Sequence, residues 1–368
     1  MRVENETTST IPSQLKAGGD IRLVLATGCQ SGCNFCHLEG HKSSDEIGQL
    51  NPALVGWKDP NKKNIPLIDK LGNAVRSSDV QAAIDITKKL GMDNIHLTGG
   101  EPTLHPDIIG IISRIKEEGL SVAITTHGEI SPSKFDEILY SGVDSINFSL
   151  HAITPMQYVA MDLIAQRKAR TSPDEALNYA KVRLRNKQAN IRRAIAYQNE
   201  FPDRFKVKTN TVVLNADTTR EIIEWCNNEG VSPRIQRDLN NKSDSQILID
   251  NVISELDAYP IQEDVAIGDS SGSGIMYEYK GGQFKVKEFG DIYIDEMCKS
   301  CTKKDTPGCR EHFYGVRVEG GGIVSTCIDV QTQGVTVFSQ DEFLSAKEGV
   351  PTAIAKQYAQ MEEVLLKE

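Results

Sequence analysis

Residues 22–37 read RLVLATGCQSGCNFCH, an apolar run that stops at a loop carrying Cys29, Cys33 and Cys36 in the spacing C-x3-C-x2-C. Three thiols on so short a loop are a metal site by ligand chemistry. A tetrahedral structural zinc usually adds a fourth ligand at a paired spacing, and a further Cys or His37 leaves that reading open. Three Cys on one tight loop can instead hold three irons of a 4Fe-4S cube and leave the fourth iron open to a ligand.

Working outward, Ile21–Ala26 forms a short strand leading into this loop, and residues 1–18 are polar and punctuated, a tail or strand-leading arm. Residues 39–73, with GWKDPNKKNIP, are expected to make a long surface excursion. From Ser77 onward helical and strand patterns alternate. Helices are expected at 79–90, 107–118, 133–141 and 219–228, and strands at 94–97, 121–125, 145–149, 206–214 and 234–237. Such alternation calls for parallel strands joined by crossovers, hence a partial (β/α)6 barrel of the TIM type over residues 19–240, with chemistry at the C-terminal strand ends. Residues 155–200 are helical and rich in Arg and Lys, a solvated face or a basic rim for an anionic substrate. Beyond 240 the alternation fails. Residues 241–368 are expected to form a small α+β domain with short strands at 283–288 and 314–319, a turn-rich 268–282, and a final helix broken near Gly349 and Pro351.

The 368 residues carry 41 Lys and Arg against 51 Asp and Glu, a formal charge of −10 with no dense basic run, so nucleic acid and anionic membranes are poor partners and a small molecule fits better. No apolar run reaches the length of a membrane span, and MRVENETTSTIPS lacks the features of a signal peptide, which sets the expectation of a cytoplasmic protein. Eight Cys in a reducing compartment argue for metal binding over disulfides. Cys298, Cys301, Cys309 and Cys327, spaced C-x2-C-x7-C-x17-C, are a second metal set, open to zinc or an iron-sulfur cluster, while Cys226 stands alone on a helix. The strand at 94–97 runs into Thr98, Gly99, Gly100, Glu101 and Pro102, where glycines admit close backbone approach and a carboxylate can meet an ammonium group.

The Cys loop, with Phe35 before its third Cys, together with this Gly-Gly-Glu-Pro turn, resembles the signature of the radical S-adenosylmethionine (SAM) enzymes. LVLATGCQSGCNFC, LTGGEPTLHPD, NFSLH and KTNTVV further resemble the branch that includes the molybdopterin-pathway GTP cyclase, with its C-terminal twitch or SPASM-type auxiliary-cluster domain. The resemblance implies a 4Fe-4S cluster on Cys29, Cys33 and Cys36, SAM held near Phe35, Gly99, Gly100, Glu101, Pro102, Thr126, Ser149 and Leu239, and an auxiliary 4Fe-4S cluster on the four C-terminal Cys. It implies an external one-electron reductant such as flavodoxin or ferredoxin. Arg22 and Lys208 match basic groups that contact the cyclase's triphosphate substrate, whereas His96 stands where the cyclase has Arg, and is a weaker, pH-dependent anion ligand. The cyclase's Arg-x-Arg after the auxiliary Cys pair is absent, Cys309 being followed by Arg310, Glu311 and His312, and so is its terminal Gly-Gly, so GTP cyclisation itself is not expected. A phosphorylated or nucleotide-like sugar undergoing rearrangement or epimerisation is the expected substrate. The alternatives are peptide maturation, with only 28 residues before Cys29 to hold a recognition domain, and a zinc-stabilised binding protein without turnover. Thr125, His127 and His151 are further candidates to face bound ligands.

Overall fold

The computed structural model describes residues 11–17, 19–26, 28–36, 75–288, 291–306, 308–328 and 332–366. The expected excursion at 39–73 and His37 lie outside them. Six strands, β2 (Ile21–Ala26), β3 (Asn94–Gly99), β4 (Ser121–Thr126), β5 (Ser145–Ser149), β6 (Lys206–Val212) and β7 (Ser232–Gln236), pair in chain order and all in parallel. This is the expected (β/α)6 partial barrel. Parallel neighbours need crossovers, and these are α1 (Ser77–Lys89), α2 (Ile108–Glu117), α3 (Pro132–Leu139), the trio α4 (Pro155–Met161), α5 (Leu163–Thr171) and α6 (Pro173–Glu200), and α7 (Ala216–Glu229).

Side chains alternate across each strand. Ile21, Leu23, Leu25, Ile95, Leu97, Val122, Ile124, Ile146, Phe148 and Val207 face the helices and join Ile84, Ile112, Phe135 and Ile191 in one apolar core. The opposite face carries Arg22, His96, Thr125, Asn147, Lys208 and Arg234, so the concave side of the sheet is polar.

The chain beyond residue 240 extends this same sheet at both ends. After α8 (Lys242–Glu255), the strands β8 (Tyr259–Ile267), β9 (Gly274–Tyr279) and β10 (Gly282–Lys287) form an antiparallel meander whose last member pairs in parallel with β7. Across the barrel β11 (Arg317–Glu319) pairs in parallel with β2, followed by β12 (Ile323–Ser325) and β13 (Val337–Ser339). The short helix α9 (Asp295–Cys298) lies between, and α10 (Gln340–Ser345) and α11 (Val350–Leu365) close the chain, separated at Gly349.

Two expectations are corrected. Ser13–Ala17, read as part of a tail or strand-leading arm, is itself a strand, β1, paired in parallel with β8; the side chains of Ser13–Lys16 are exposed or half-buried, so main-chain pairing rather than an apolar pattern holds it. Part of the turn-rich 268–282 is strand β9, paired on both sides by β8 and β10, with Gly274 opening β9 and Gly282 opening β10. Among the described residues no helix is long and apolar enough to cross a membrane.

Candidate active site

The Cys loop is held along its length by the connection between β5 and β6. Gly32 N donates to Asp162 Oδ2 at 2.7 Å, Leu163 N to Gly32 O at 2.7 Å, and Asn34 N to Met161 O at 3.0 Å. Cys33 thereby lies opposite Asp162 in an antiparallel bridge, while Asp162 caps α5 through Ala165 N at 2.8 Å. Phe35 is buried with Tyr158, Met161 and Leu184 and meets His151 edge-on, centroids 4.5 Å apart, so it anchors the loop. The turn after β7 reaches the same place: Asn240 Nδ2 donates to Phe35 O at 3.3 Å, beside partly buried Leu239.

Glu129, which the sequence reading passed over, fixes the rest of the loop. Its carboxylate accepts from Ser31 Oγ at 3.2 Å, Tyr158 OH at 3.0 Å and Arg183 Nη1 at 2.8 Å, and Lys187 Nζ lies 3.0 Å away. Arg183 also donates to Gln30 O, and Lys187 Nζ to Ser149 O at 3.0 Å. Burial alone would raise this carboxyl, but Lys187, His127 and Arg183 bring it down to about 2. The charged helix α6 is therefore neither wholly solvated nor a basic rim. Arg192 and Arg193 pair outside with Glu229 and Asp136, whereas Lys187 sits in the buried stripe of Ala176, Ala180, Leu184, Ile191 and Ala194. A cation in an apolar stripe at helical spacing was the available signal.

The turn after β3 is bonded to the start of the Cys loop. Gly100 N donates to Ala26 O at 2.8 Å and Glu101 N to Gly28 O at 3.0 Å. Gly99 has φ +134°, and a Cβ there would stand 2.3 Å from Ala26 O, so only glycine permits this approach. Pro102 opens a single buried 3-10 turn, Pro102–Leu104. Glu101 is turned inward: Oε1 accepts from Thr103 N at 3.0 Å, Thr103 Oγ1 at 2.6 Å and Thr126 Oγ1 at 2.7 Å, and Oε2 from His127 N at 2.8 Å. With its oxygens so engaged, Glu101 as placed ties the turn after β3 to the turn after β4. His127 Nδ1 accepts from Glu129 N, and its buried Nε2 has no hydrogen-bond partner.

The thiols fit a cluster that supplies positive charge. Burial, then Glu101 and Cys36, push Cys29 up, and burial, then Cys36 and Cys29, push Cys33 up, so the thiolates need a cationic partner. Ser31 N already points at Cys29 Sγ, 3.4 Å away. Among the described residues no three His, Cys, Asp or Glu side chains converge as around a single ion; ligands on separate irons of one cube stand farther apart. In the C-terminal set, Cys298 is pushed up by burial and by Cys327, Cys309 and Cys301 together, which makes the four neighbours. Lys242 Nζ of α8 holds this segment at Cys309 O, 2.8 Å away. Cys226 lies on the helix side of the sheet against Thr209 Oγ1, 3.3 Å away, and burial lifts its thiol to about 12.

The concave face gathers cations. The Arg22 guanidinium lies 4.2 Å from the Tyr314 ring centroid and Lys287 Nζ 4.3 Å. Lys208 and Arg234 make no hydrogen bond or ion pair among the described residues, and Arg234 Nε is buried. Burial, then the charge of Arg234, lower Lys208 to about 8, while burial lowers Arg234 against the pull of Tyr314, Asp20 and Asp264. His96 differs from expectation: Nδ1 stands 3.2 Å from Asp20 Oδ2 and Nε2 2.7 Å from Thr125 Oγ1, so neither nitrogen is left for an anion. His151 is likewise occupied, Nδ1 accepting from Val212 N at 3.1 Å, and burial and Lys187 hold it neutral, at about 3.

Comparison with known proteins adds three findings. Probable GTP 3',8-cyclases from Thermoplasma volcanium and Saccharolobus islandicus are 29% and 31% identical over 161 and 136 residues, 44% and 37% of this chain. Those stretches span only 41% and 35% of the relatives, less than half their length. Streptococcus suis SuiB bound to precursor peptide SuiA shares the fold, with TM-score 0.50 at 14% identity over 94% of this chain and 66% of that one. Residues 23–228 match the radical SAM superfamily. That match runs from β2 through the Cys loop and the turn after β3 to the end of α7, over more than half of the chain, and it makes this protein a radical SAM enzyme.

Proposed function

We propose that the protein acts on a small anionic substrate, a phosphorylated or nucleotide-like sugar, held on the concave face of the barrel for rearrangement or epimerisation. The observation that carries this is the pair Lys208 and Arg234, two cations turned inward without partners among the described residues. Unpaired buried cations are costly and persist where a ligand neutralises them. When bound, the 4Fe-4S cluster and SAM supply a 5'-deoxyadenosyl radical that takes a hydrogen atom from the substrate. Cys29, Cys33 and Cys36 would hold that cluster. The turn from Gly99 to Pro102 with Thr126, Ser149 and Leu239 would hold SAM, and the α4–α6 connection keeps the loop in place and water out. Cys298, Cys301, Cys309 and Cys327 would hold an auxiliary 4Fe-4S cluster, and an external one-electron donor such as flavodoxin or ferredoxin would serve the enzyme.

A second reading, modification of a precursor peptide, has the likeness to SuiB in its favour, but at 14% identity that is a likeness of fold alone. Membership of an enzyme superfamily sets aside a zinc-stabilised protein without turnover. Calorimetry of the anaerobically reconstituted protein with UDP-glucose tests the proposal. Binding to the wild type that weakens at least about tenfold in Arg234→Met supports it, the scale of one lost charge-assisted hydrogen bond. Binding that Arg234→Met leaves unchanged, or none at all to the wild type, sinks it.

A further inference from the structure

His96 sits between two groups of opposite character. The Asp20 carboxylate is an acceptor only, so the contact at 3.2 Å requires a proton on His96 Nδ1. In the neutral ring Nε2 is then an acceptor, and the Thr125 hydroxyl 2.7 Å away donates to it. Asp20 is fixed in turn by Asn94 Nδ2, at 2.5 Å. Burial alone would raise the Asp20 carboxyl, but His96, Asn94 and the charge of Arg22 hold it at about 2. Its side chain keeps 41% of its surface open.

The order of groups matters as much as the contacts. Asp20 precedes β2, His96 is the third residue of β3, and Thr125 is next to the last of β4, so the chain of hydrogen bonds climbs the concave face toward the C-terminal strand ends. Its upper member adjoins Thr126, which is bonded to Glu101 in the turn after β3. Thr125 pairs with Asn147 and Asn147 with Lys208, which puts Thr125 and Lys208 on one face, about 10 Å apart across two strand spacings. One sugar phosphate can span that gap, its phosphate on Lys208 and Arg234 and a hydroxyl on Thr125.

We propose that Asp20, His96 and Thr125 form a proton relay opening on the barrel interior, with Thr125 exchanging a proton with a hydroxyl of the substrate. Thr125 Oγ takes the substrate proton as its own passes to His96 Nε2; the imidazolium is held by Asp20, and the substrate is left as an alkoxide. A carbon radical bearing an alkoxide expels a neighbouring group or yields an electron more readily than one bearing a hydroxyl, which suits rearrangement chemistry. Thr125 is the group that touches substrate, and His96 and Asp20 act through it. The inference rests on the concave face as the substrate site.

Nitrogen-15 NMR of the histidine-labelled protein, with His96 assigned from His96→Gln, tests the relay without any substrate. Among the described residues Arg22, Lys208, Arg234, Asp269 and Tyr358 are coupled electrostatically to Asp20, and the tautomer is read at pH 7 with all of them present. Expected is an unprotonated Nε2 and a protonated Nδ1, a shift toward Nε2–H in Asp20→Asn, loss of the Nε2 hydrogen-bond signature in Thr125→Val and its return in Thr125→Ser. A protonated Nε2 in the wild type, or a tautomer indifferent to Asp20→Asn, overturns the relay and leaves the substrate reading standing. For the contact with substrate, ribose 5-phosphate should bind about tenfold more weakly to Thr125→Val and recover in Thr125→Ser, with inorganic phosphate unaffected. Equal effects on both probes overturn the contact.

Discussion

Lys208→Met should make the protein more stable and a worse anion binder at once. Burial and Arg234 lower the folded-state pKa of Lys208 to about 8 from 10.5. Below pH 8 both folded and unfolded chains carry this proton, and the folded state bears the full cost of a cation it does not pair. Between 8 and 10.5 the folded state sheds the proton first, so stability rises with pH and the cost disappears. A shift of about 2.5 units corresponds to roughly 3 kcal/mol at pH 7, an upper bound because the side chain is not fully buried. Urea unfolding of the apoprotein at pH 7 and pH 10 reads it, with Lys208→Met more stable by up to about 3 kcal/mol at the lower pH and the gap closing at the higher. Phosphate binding to the wild type should fade above pH 8 as Lys208 loses its charge. If Lys208→Met is destabilised at pH 7, the ammonium has a structural partner and the reasoning fails.

Other outcomes follow from the same geometry. Glu129→Gln removes a carboxylate held at about 2 by Lys187, His127 and Arg183, which should cost about 3 kcal/mol at pH 7; since a depressed carboxyl stabilises above its unfolded pKa of 4.5, the loss should shrink as pH falls from 4.5 toward 2. Urea titration checks that, and faster alkylation of Cys29 in the apoprotein should accompany it. Gly99→Ala, with its Cβ 2.3 Å from Ala26 O, should part the turn from the Cys loop and abolish SAM binding in equilibrium dialysis. Replacing Cys29, Cys33 and Cys36 by Ala should cut anaerobic iron from about eight to about four per chain; one zinc and no iron in that variant would remove the auxiliary cluster.

What was legible in the sequence was local. Apolar alternation in Ile21–Ala26 and Val122–Thr126 and the apolar stripes of the intervening helices gave the parallel barrel, because burial against helices writes itself into period. The Cys loop and the Gly-Gly-Glu-Pro turn were legible because their chemistry needs particular residues at short spacing. Illegible were groups that matter through partners far along the chain. Glu129 looks like any loop carboxylate until Arg183 and Lys187, more than 50 residues on, are folded onto it. His96 read as an anion ligand because its occupation by Asp20 and Thr125 depends on strand register. Arg234 gave no signal, since an unpaired cation and a paired one are spelled alike.

The join between barrel and C-terminal segment carries the last step. A boundary at residue 240 suggests a cap laid on a finished barrel, yet six strands alone would leave open edges at β2 and β7, and exposed strand edges are a liability that proteins cover. Here the segment beyond 240 covers both, β10 on β7 and β11 on β2. Because register carries side-chain direction across a ladder, Arg317 opposite Arg22 and Lys285 opposite Arg234 extend the same polar face. The cations these strands add are themselves paired, Arg317 Nη2 2.8 Å from Glu311 Oε2 and Lys285 Nζ 2.5 Å from Asp264 Oδ2, so they join the extension to the sheet. Barrel and extension are thus built as one sheet, and truncation near residue 240 should bare the edges of β2 and β7 and cost the fold.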